Sequence, residues 1–364
     1  MTATTAPQQL AATLPLSSQI ICFLKLWGLK LASSLGFAIL RLLNPTPKEL
    51  RPTAIKTYPC RPSLRNRIFV PRSRKPDTLL PLYIDLHGGG FALCDARFDD
   101  EFCAEFSNTF NILVVSIEYG RAPSNRFPGP TEDTVAIAMD ILEDTSLPID
   151  KERVVLGGFS CGGNLALSAS QNPKLARKLT GIVSWYPVTD FTLNPKEKQQ
   201  SRPYRNSKDV DALKDFGPVF DWGYIKSGQD LKDPELSVRY CGRKVTLPNW
   251  ICIIGAQYDM LANEARETIF DIADLDEEER QLGKNGFEKD SYKWVLVDGV
   301  RHAFTHNIGD CKGHDELVRN NKRREMMEEV AKWLFSGPFC NDSTSMLNHR
   351  FKSRDVVHSA VKVQ

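Results

Sequence analysis

Paired cysteine is what this 364-residue chain most evidently lacks. Nine cysteines, an odd number, are scattered along it with no Cys-x-x-Cys. That excludes a disulfide framework and a zinc knuckle, and it fits a reducing, cytoplasmic setting. An excess of charge is lacking too: 47 Lys and Arg stand against 45 Asp and Glu, a formal net charge of +2. Nothing in that balance argues for nucleic acid or an acidic substrate. The basic clusters at Arg72, Arg74 and Lys75 and at Lys322, Arg323 and Arg324 have no interleaved aromatics and read as solvated faces. No internal repeat is found. No secretory signal is read either: the first seventeen residues carry no basic charge, and no small-residue cleavage site follows a short apolar core.

A long uninterrupted hydrophobic run is also missing. The most apolar stretch, residues 18–43, is broken by Lys25, Lys30 and Arg41, which argues against a membrane span. Within it Ile20, Leu24, Trp27, Leu31, Leu35, Ala38 and Leu42 recur at steps of four and three and share one helical face. Asn44, Pro45 and Pro47 then end the helix. Two readings are open: a cap helix packed over the core, or a helix lying at a membrane surface with Trp27 and Phe37 at the lipid boundary.

Beyond residue 50 strands and helices alternate, which predicts an α/β fold with a mostly parallel sheet covered on both faces. Strands are expected near Ala54–Tyr58, Arg67–Val70, Pro81–Leu86, Asn111–Ile117, Arg153–Leu156, Gly181–Tyr186, Trp250–Gly255 and Tyr292–Val297. Residues 191–240 break the alternation, polar with several aromatics, and suit a cap insertion in which Phe216, Phe220, Trp222 and Tyr224 line a pocket or pack cap on core. The expected division is residues 1–50 as cap or membrane-surface helix, 51–190 and 241–336 as the two parts of a core, 191–240 as insertion, and 337–364 as a loosely ordered tail.

Two motifs carry chemistry. Gly158-Phe-Ser160-Cys-Gly162 follows a strand and precedes a helical stretch, a frame that lifts a serine hydroxyl off the sheet edge. Gly158 and Gly162 remove the side chains that would collide across so tight a turn. About seventy residues upstream, the strand ending at Leu86 runs into His87, Gly88, Gly89 and Gly90. Consecutive glycines expose backbone N–H groups that can face an oxyanion, with the His87 ring bracing the loop.

A serine nucleophile needs a base and an acid to orient it. Of six histidines, His302 follows the last predicted strand and reaches the same sheet edge as Ser160; His306 and His314 are the fallbacks, and His349 and His358 lie in the tail. Asp259, on the loop after the preceding strand, is the acid candidate, although an Asp there also suits a helix N-cap. Glu264 and Asp298 are its rivals. Cys161 is the second candidate nucleophile. No metal or organic cofactor is called for.

His87-Gly-Gly-Gly-Phe91, Gly158-Phe-Ser160-Cys-Gly162, Tyr258-Asp259-Met-Leu261 and Gly299-Val-Arg-His302-Ala-Phe304 together resemble the hormone-sensitive-lipase-like branch of the α/β hydrolases, over about residues 75 to 335. The resemblance implies an eight-stranded α/β-hydrolase core with a helical cap from the N-terminus and an insertion. It implies carboxylesterase action on a small-molecule ester of short-to-medium acyl chain, with the Gly89, Gly90 and Cys161 amides as oxyanion donors. The chain departs from the family in two places. Phe159 stands where Asp or Thr is usual, and Ser124 stands where an acidic residue usually braces the nucleophile loop. Those departures leave room for a biosynthetic cyclisation, elimination or acyl transfer. A binding module is a further alternative, against which the presence of His302 argues. Oligomeric state is not legible.

Overall fold

The strands that carry the fold are apolar without alternation, because helices cover them from both sides. The computed structural model describes residues 9–202, 211, 213–242, 247–307 and 314–340. In chain order these form α1 (Leu16–Leu43), β1 (Ala54–Tyr58), β2 (Arg61–Phe69), β3 (Leu80–Leu86), α2 (Asp100–Phe110), β4 (Leu113–Ile117), α3 (Gly129–Glu143) and β5 (Ile149–Phe159). There follow α4 (Cys161–Ala169), α5 (Pro173–Ala176), β6 (Gly181–Trp185), α6 (Pro195–Ser201), α7 (Leu213–Tyr224), β7 (Trp250–Ala256), α8 (Ala262–Ile272), α9 (Glu277–Leu282), β8 (Gly286–Lys289), β9 (Tyr292–Val297) and α10 (His314–Ser336).

One sheet results, in the order β1-β2-β4-β3-β5-β6-β7-β9-β8. The central strands β4, β3, β5, β6, β7 and β9 run parallel, and the pairs at the two ends are antiparallel. Nine strands stand where the resemblance implies eight. The extra one, β8, is a short hairpin partner of β9, turned at Asp290 in the left-handed region with φ 55°. Side chains leave β3 alternately: Leu82, Ile84 and Leu86 enter one core with Ile137, Leu165 and Ile269, while Tyr83 enters the other with Phe102, Phe106, Trp185 and Val330. The doubly covered parallel strands thereby deliver β5, β7 and β9 to one carboxyl edge, where their loops meet.

α1 lies along α7 by the face opposite to its apolar stripe. Leu26 is fully buried, against Gly223 of α7. Lys30 Nζ donates to the carbonyls of Ala92 at 2.9 Å and Ala122 at 2.7 Å, Arg41 pairs with Asp95 at 3.3 Å, and Phe37 meets Phe98. The stripe itself faces outward: Leu24 is 63% exposed, Leu31 71% and Leu42 82%. The helix thus touches the protein by the face that carries Leu26, Lys30, Phe37 and Arg41 and leaves its apolar stripe outward. Of the twenty exposed large hydrophobic residues described, twelve belong to α1. Of the 337–364 tail, residues 341–364, with His349 and His358, lie outside the described residues.

Candidate active site

Ser160 sits at the sharp turn between β5 and α4 with φ 56° and ψ −117°, a conformation a non-glycine residue holds only under constraint. Its N–H donates to Trp185 O at 2.8 Å, tying the turn to β6. A Cβ on Gly158 would run into the Gly162 carbonyl, and one on Gly162 into the Leu86 and His87 carbonyls. Both positions therefore require glycine through close approach rather than through φ.

The glycine loop lies directly over Ser160: a Cβ on Gly88 would be 3.6 Å from Ser160 Cβ. Gly89 (φ 110°) and Gly90 (φ 61°) lie in the left-handed region, and neither N–H is spent on a backbone carbonyl in the turns and loops. Cys161 opens α4, so its N–H has no acceptor within the helix and lies at the positive end of the helix dipole. His87 is buried and braces the loop, with Nδ1 2.8 Å from Gly88 O and its ring stacked on Tyr119. Tyr119 in turn donates its hydroxyl to His87 O at 2.7 Å.

His302 comes from the loop after β9. Its Nε2 is 2.9 Å from Ser160 Oγ and its Nδ1 2.6 Å from Asp259 Oδ2. With Nδ1–H donated to the carboxylate, Nε2 is left to accept the serine proton. Burial alone pulls the His302 pKa down; the charge and hydrogen bond of Asp259, with Asp211 adding to the field, overcome this and raise it above the usual 6.5. Asp259 is fully buried, and its other oxygen accepts from Leu261 N at 2.9 Å. It thus orients the histidine and also caps the turn into α8. Backbone bonds from Gln257 to Val297 and from Tyr258 to Val300 lock the two loops together.

The rival assignments separate by position. Glu264 is buried away from His302, accepting from Thr189 N and Asp190 N and paired with Lys198, and burial lifts its pKa to about 7. Asp298 is exposed. His306 does reach the site, but its Nε2 is 2.9 Å from Asp99 Oδ1 and its Nδ1 2.9 Å from Thr305 Oγ1, so neither nitrogen is free to serve as base. Burial holds it neutral, its pKa pushed down to about 3. The His314 side chain lies outside the described residues. The Cys161 thiol is buried, accepts from Phe91 N at 3.1 Å and is pushed up to about 11 by burial, so it is a support for the glycine loop and a poor nucleophile.

Both departures from the family have local explanations. Phe159 is packed among Phe102, Trp185, Tyr186 and the His306 ring. Ser124 is exposed, and its loop is held instead by Asp133 of α3, which accepts from Gly120 N at 3.0 Å and Asn125 Nδ2 at 2.8 Å. Of the four aromatics in the insertion, Phe220 lines the site, Tyr224 is stacked on Phe91 in the core, Phe216 is largely exposed and Trp222 lies against Arg126.

Sequence reasoning missed two features. Asp211, buried in the insertion, accepts from Met260 N at 2.9 Å, next to Asp259. Fully buried Asp85 and Asp99 lie close to each other, and burial, with the charge of neighbouring acids, raises both pKa values. No local pattern marks either feature.

The α/β-hydrolase-fold family profile matches residues 83–279. An AB hydrolase superfamily protein of Schizosaccharomyces pombe is 27% identical over 212 residues, 55% of this chain and 60% of that protein. An arylesterase of Saccharolobus solfataricus is 29% identical, over 65% of this chain and 72% of its own. Neutral cholesterol ester hydrolase 1 of Bos taurus is 32% identical over 38% of this chain and only 36% of that protein. The chain thus spans well under two thirds of several curated relatives it matches. Among solved structures, an esterase of the archaeon Pyrobaculum calidifontis superposes with a TM-score of 0.66 at 22% identity, covering 89% of this chain and 98% of that one. With the glycine loop, the serine turn and the two strand-end loops in one sheet edge, this chain belongs to the hormone-sensitive-lipase-like family of the α/β hydrolases.

Proposed function

We propose that this protein is a serine hydrolase of carboxylic esters with short-to-medium acyl chains, working through an acyl-enzyme. The observation that carries the reading is the unbroken line Ser160 Oγ–His302–Asp259, at 2.9 and 2.6 Å, beside the glycine loop. His302 Nε2 takes the Ser160 proton as Oγ attacks the ester carbonyl. The Gly89, Gly90 and Cys161 amides hold the oxyanion, each worth about 10²–10³ in rate. His302 then gives its proton to the departing alkoxide oxygen. Water, deprotonated by the same imidazole, cleaves the acyl–Oγ bond and releases the acid. The esterase names among the relatives support the same reading. The test is phosphonate labelling and nitrophenyl ester turnover. Ser160→Ala loses the label and about 10⁶ in kcat, whereas Cys161→Ala keeps the label. Full turnover by Ser160→Ala refutes the proposal.

We further infer that α1 rests in a lipid surface. Its outward face carries one cation, Lys25, the helix contains no acidic residue, and by length and composition it is apolar enough to cross a membrane. Its other two cations are spent on the protein side, so the face left outward is suited to acyl chains rather than water. Flotation with phosphatidylcholine–phosphatidylserine vesicles checks this. The wild type floats, and the variant Leu24→Glu, Leu31→Glu, Leu35→Glu stays at the bottom of the gradient. A wild type that never floats overturns it.

A further inference from the structure

Two cavities meet at Ser160, and they differ in size and chemistry. The larger, about 210 Å³, contains His302 and is walled by Phe37, Leu93, Phe98, Phe159 and Phe220. The smaller, about 60 Å³, lies on the Cys161 side without His302, among Val188, Phe191, Met260 and Leu261, with Lys198 and Asp221 as its two charged residues. Phe220 packs against Gly90 and lines both. The imidazolium must reach the leaving oxygen to protonate it. The alcohol half of an ester therefore lies in the cavity that contains His302, and the acyl half in the other.

The acyl side is then small and polar at one wall. At about 60 Å³ against about 210 Å³ on the His302 side, it suits a short chain better than a long one. Lys198 is already engaged, with Nζ 2.8 and 3.1 Å from the two Glu264 oxygens. Asp221, by contrast, accepts no hydrogen bond from any described residue. Burial first, opposed by the Lys198 charge, lifts its pKa to about 6, so it is mostly ionised at neutral pH. A carboxylate in an apolar cavity without a donor is a poor wall for a plain alkyl group and a good one for a donor.

Resting on the hydrolase reading above, we propose that the smaller cavity is the acyl site and that Asp221 selects short acyl groups ending in a hydrogen-bond donor, esterified to a bulky apolar alcohol. The test compares 1-naphthyl esters of 3-hydroxypropanoate, its isostere butanoate, and octanoate. In the wild type kcat/KM for the hydroxy ester exceeds that for the butanoate by about tenfold or more, as a hydrogen bond to a charged group implies. Octanoate falls well below both. Asp221→Leu brings the hydroxy-to-butanoate ratio to one or below, and the shape-conserving Asp221→Asn lowers it in the same direction. Preference for octanoate, a wild-type ratio near one, or a ratio insensitive to both substitutions overturns the assignment while leaving the hydrolase intact. Absence of turnover of every ester together with absence of phosphonate labelling at Ser160 instead removes the hydrolase reading, and this proposal with it.

Discussion

Replacing Phe159 by the aspartate usual in this family should unfold the protein far more readily than replacing it by leucine. Phe159 is 1% exposed, edge-on to Phe102 and His306 and stacked on Trp185. Emptying such a site costs about 3–5 kcal/mol, of which the ring contacts contribute about 0.5–1.5 each. Aspartate adds an ionised group among aromatic rings and beside His306, whose Nε2 already serves buried Asp99. Several further kcal/mol follow from desolvation alone. Unfolding entropy is about 2 cal/mol/K per residue, so a chain of 364 residues loses about 1.3 °C per kcal/mol. The expected drops in Tm are about 4–7 °C for Phe159→Ala, about 2 °C for Phe159→Leu, and 8 °C or more for Phe159→Asp. Calorimetry on the three variants measures them. A Phe159→Asp variant as stable as Phe159→Leu would mean that the buried acids and His306 welcome another carboxylate, and the account of this site would be wrong.

Two more outcomes test the same physics elsewhere. The acid limb of kcat/KM reports a base that must be neutral, and His302 is the one described imidazole at the site with a raised pKa, His87 and His306 both being lowered, chiefly by burial. Activity should therefore fall as pH drops through a value above 6.5. Asp211→Asn, which removes a carboxylate that helps raise it, should move the limb to lower pH; an upward shift contradicts the assignment. His306→Leu strips Asp99 of its imidazole donor, and an orphaned buried polar group costs about 1–3 kcal/mol, more when charged. A urea midpoint unchanged from wild type would show that the pair contributes nothing.

What the amino-acid order determined here is local. The elbow at Ser160 and the glycine loop after Leu86 are short-range demands: a tight turn tolerates no Cβ at Gly158 or Gly162, and exposed amides require Gly89 and Gly90 at a strand end. Alternating apolar runs likewise led to the order of β3 to β9, with β8 too short and polar to register. The chain-order argument for His302 and Asp259 needed one more assumption, that parallel strands deliver their loops to a common edge.

Tertiary structure decided everything that depends on what lies opposite. Periodicity marked an apolar stripe on α1 but could not say which way it faces, because Lys30 and Arg41 find their partners in loops some fifty to ninety residues away. Asp211, Asp99 and Asp221 look alike in sequence. One holds the Met260 amide beside Asp259, one is buried near Asp85 and bonded to His306, and one lines a cavity within reach of the Lys198 charge. Charge in a folded protein takes its meaning from distance and desolvation, and neither is written along the chain.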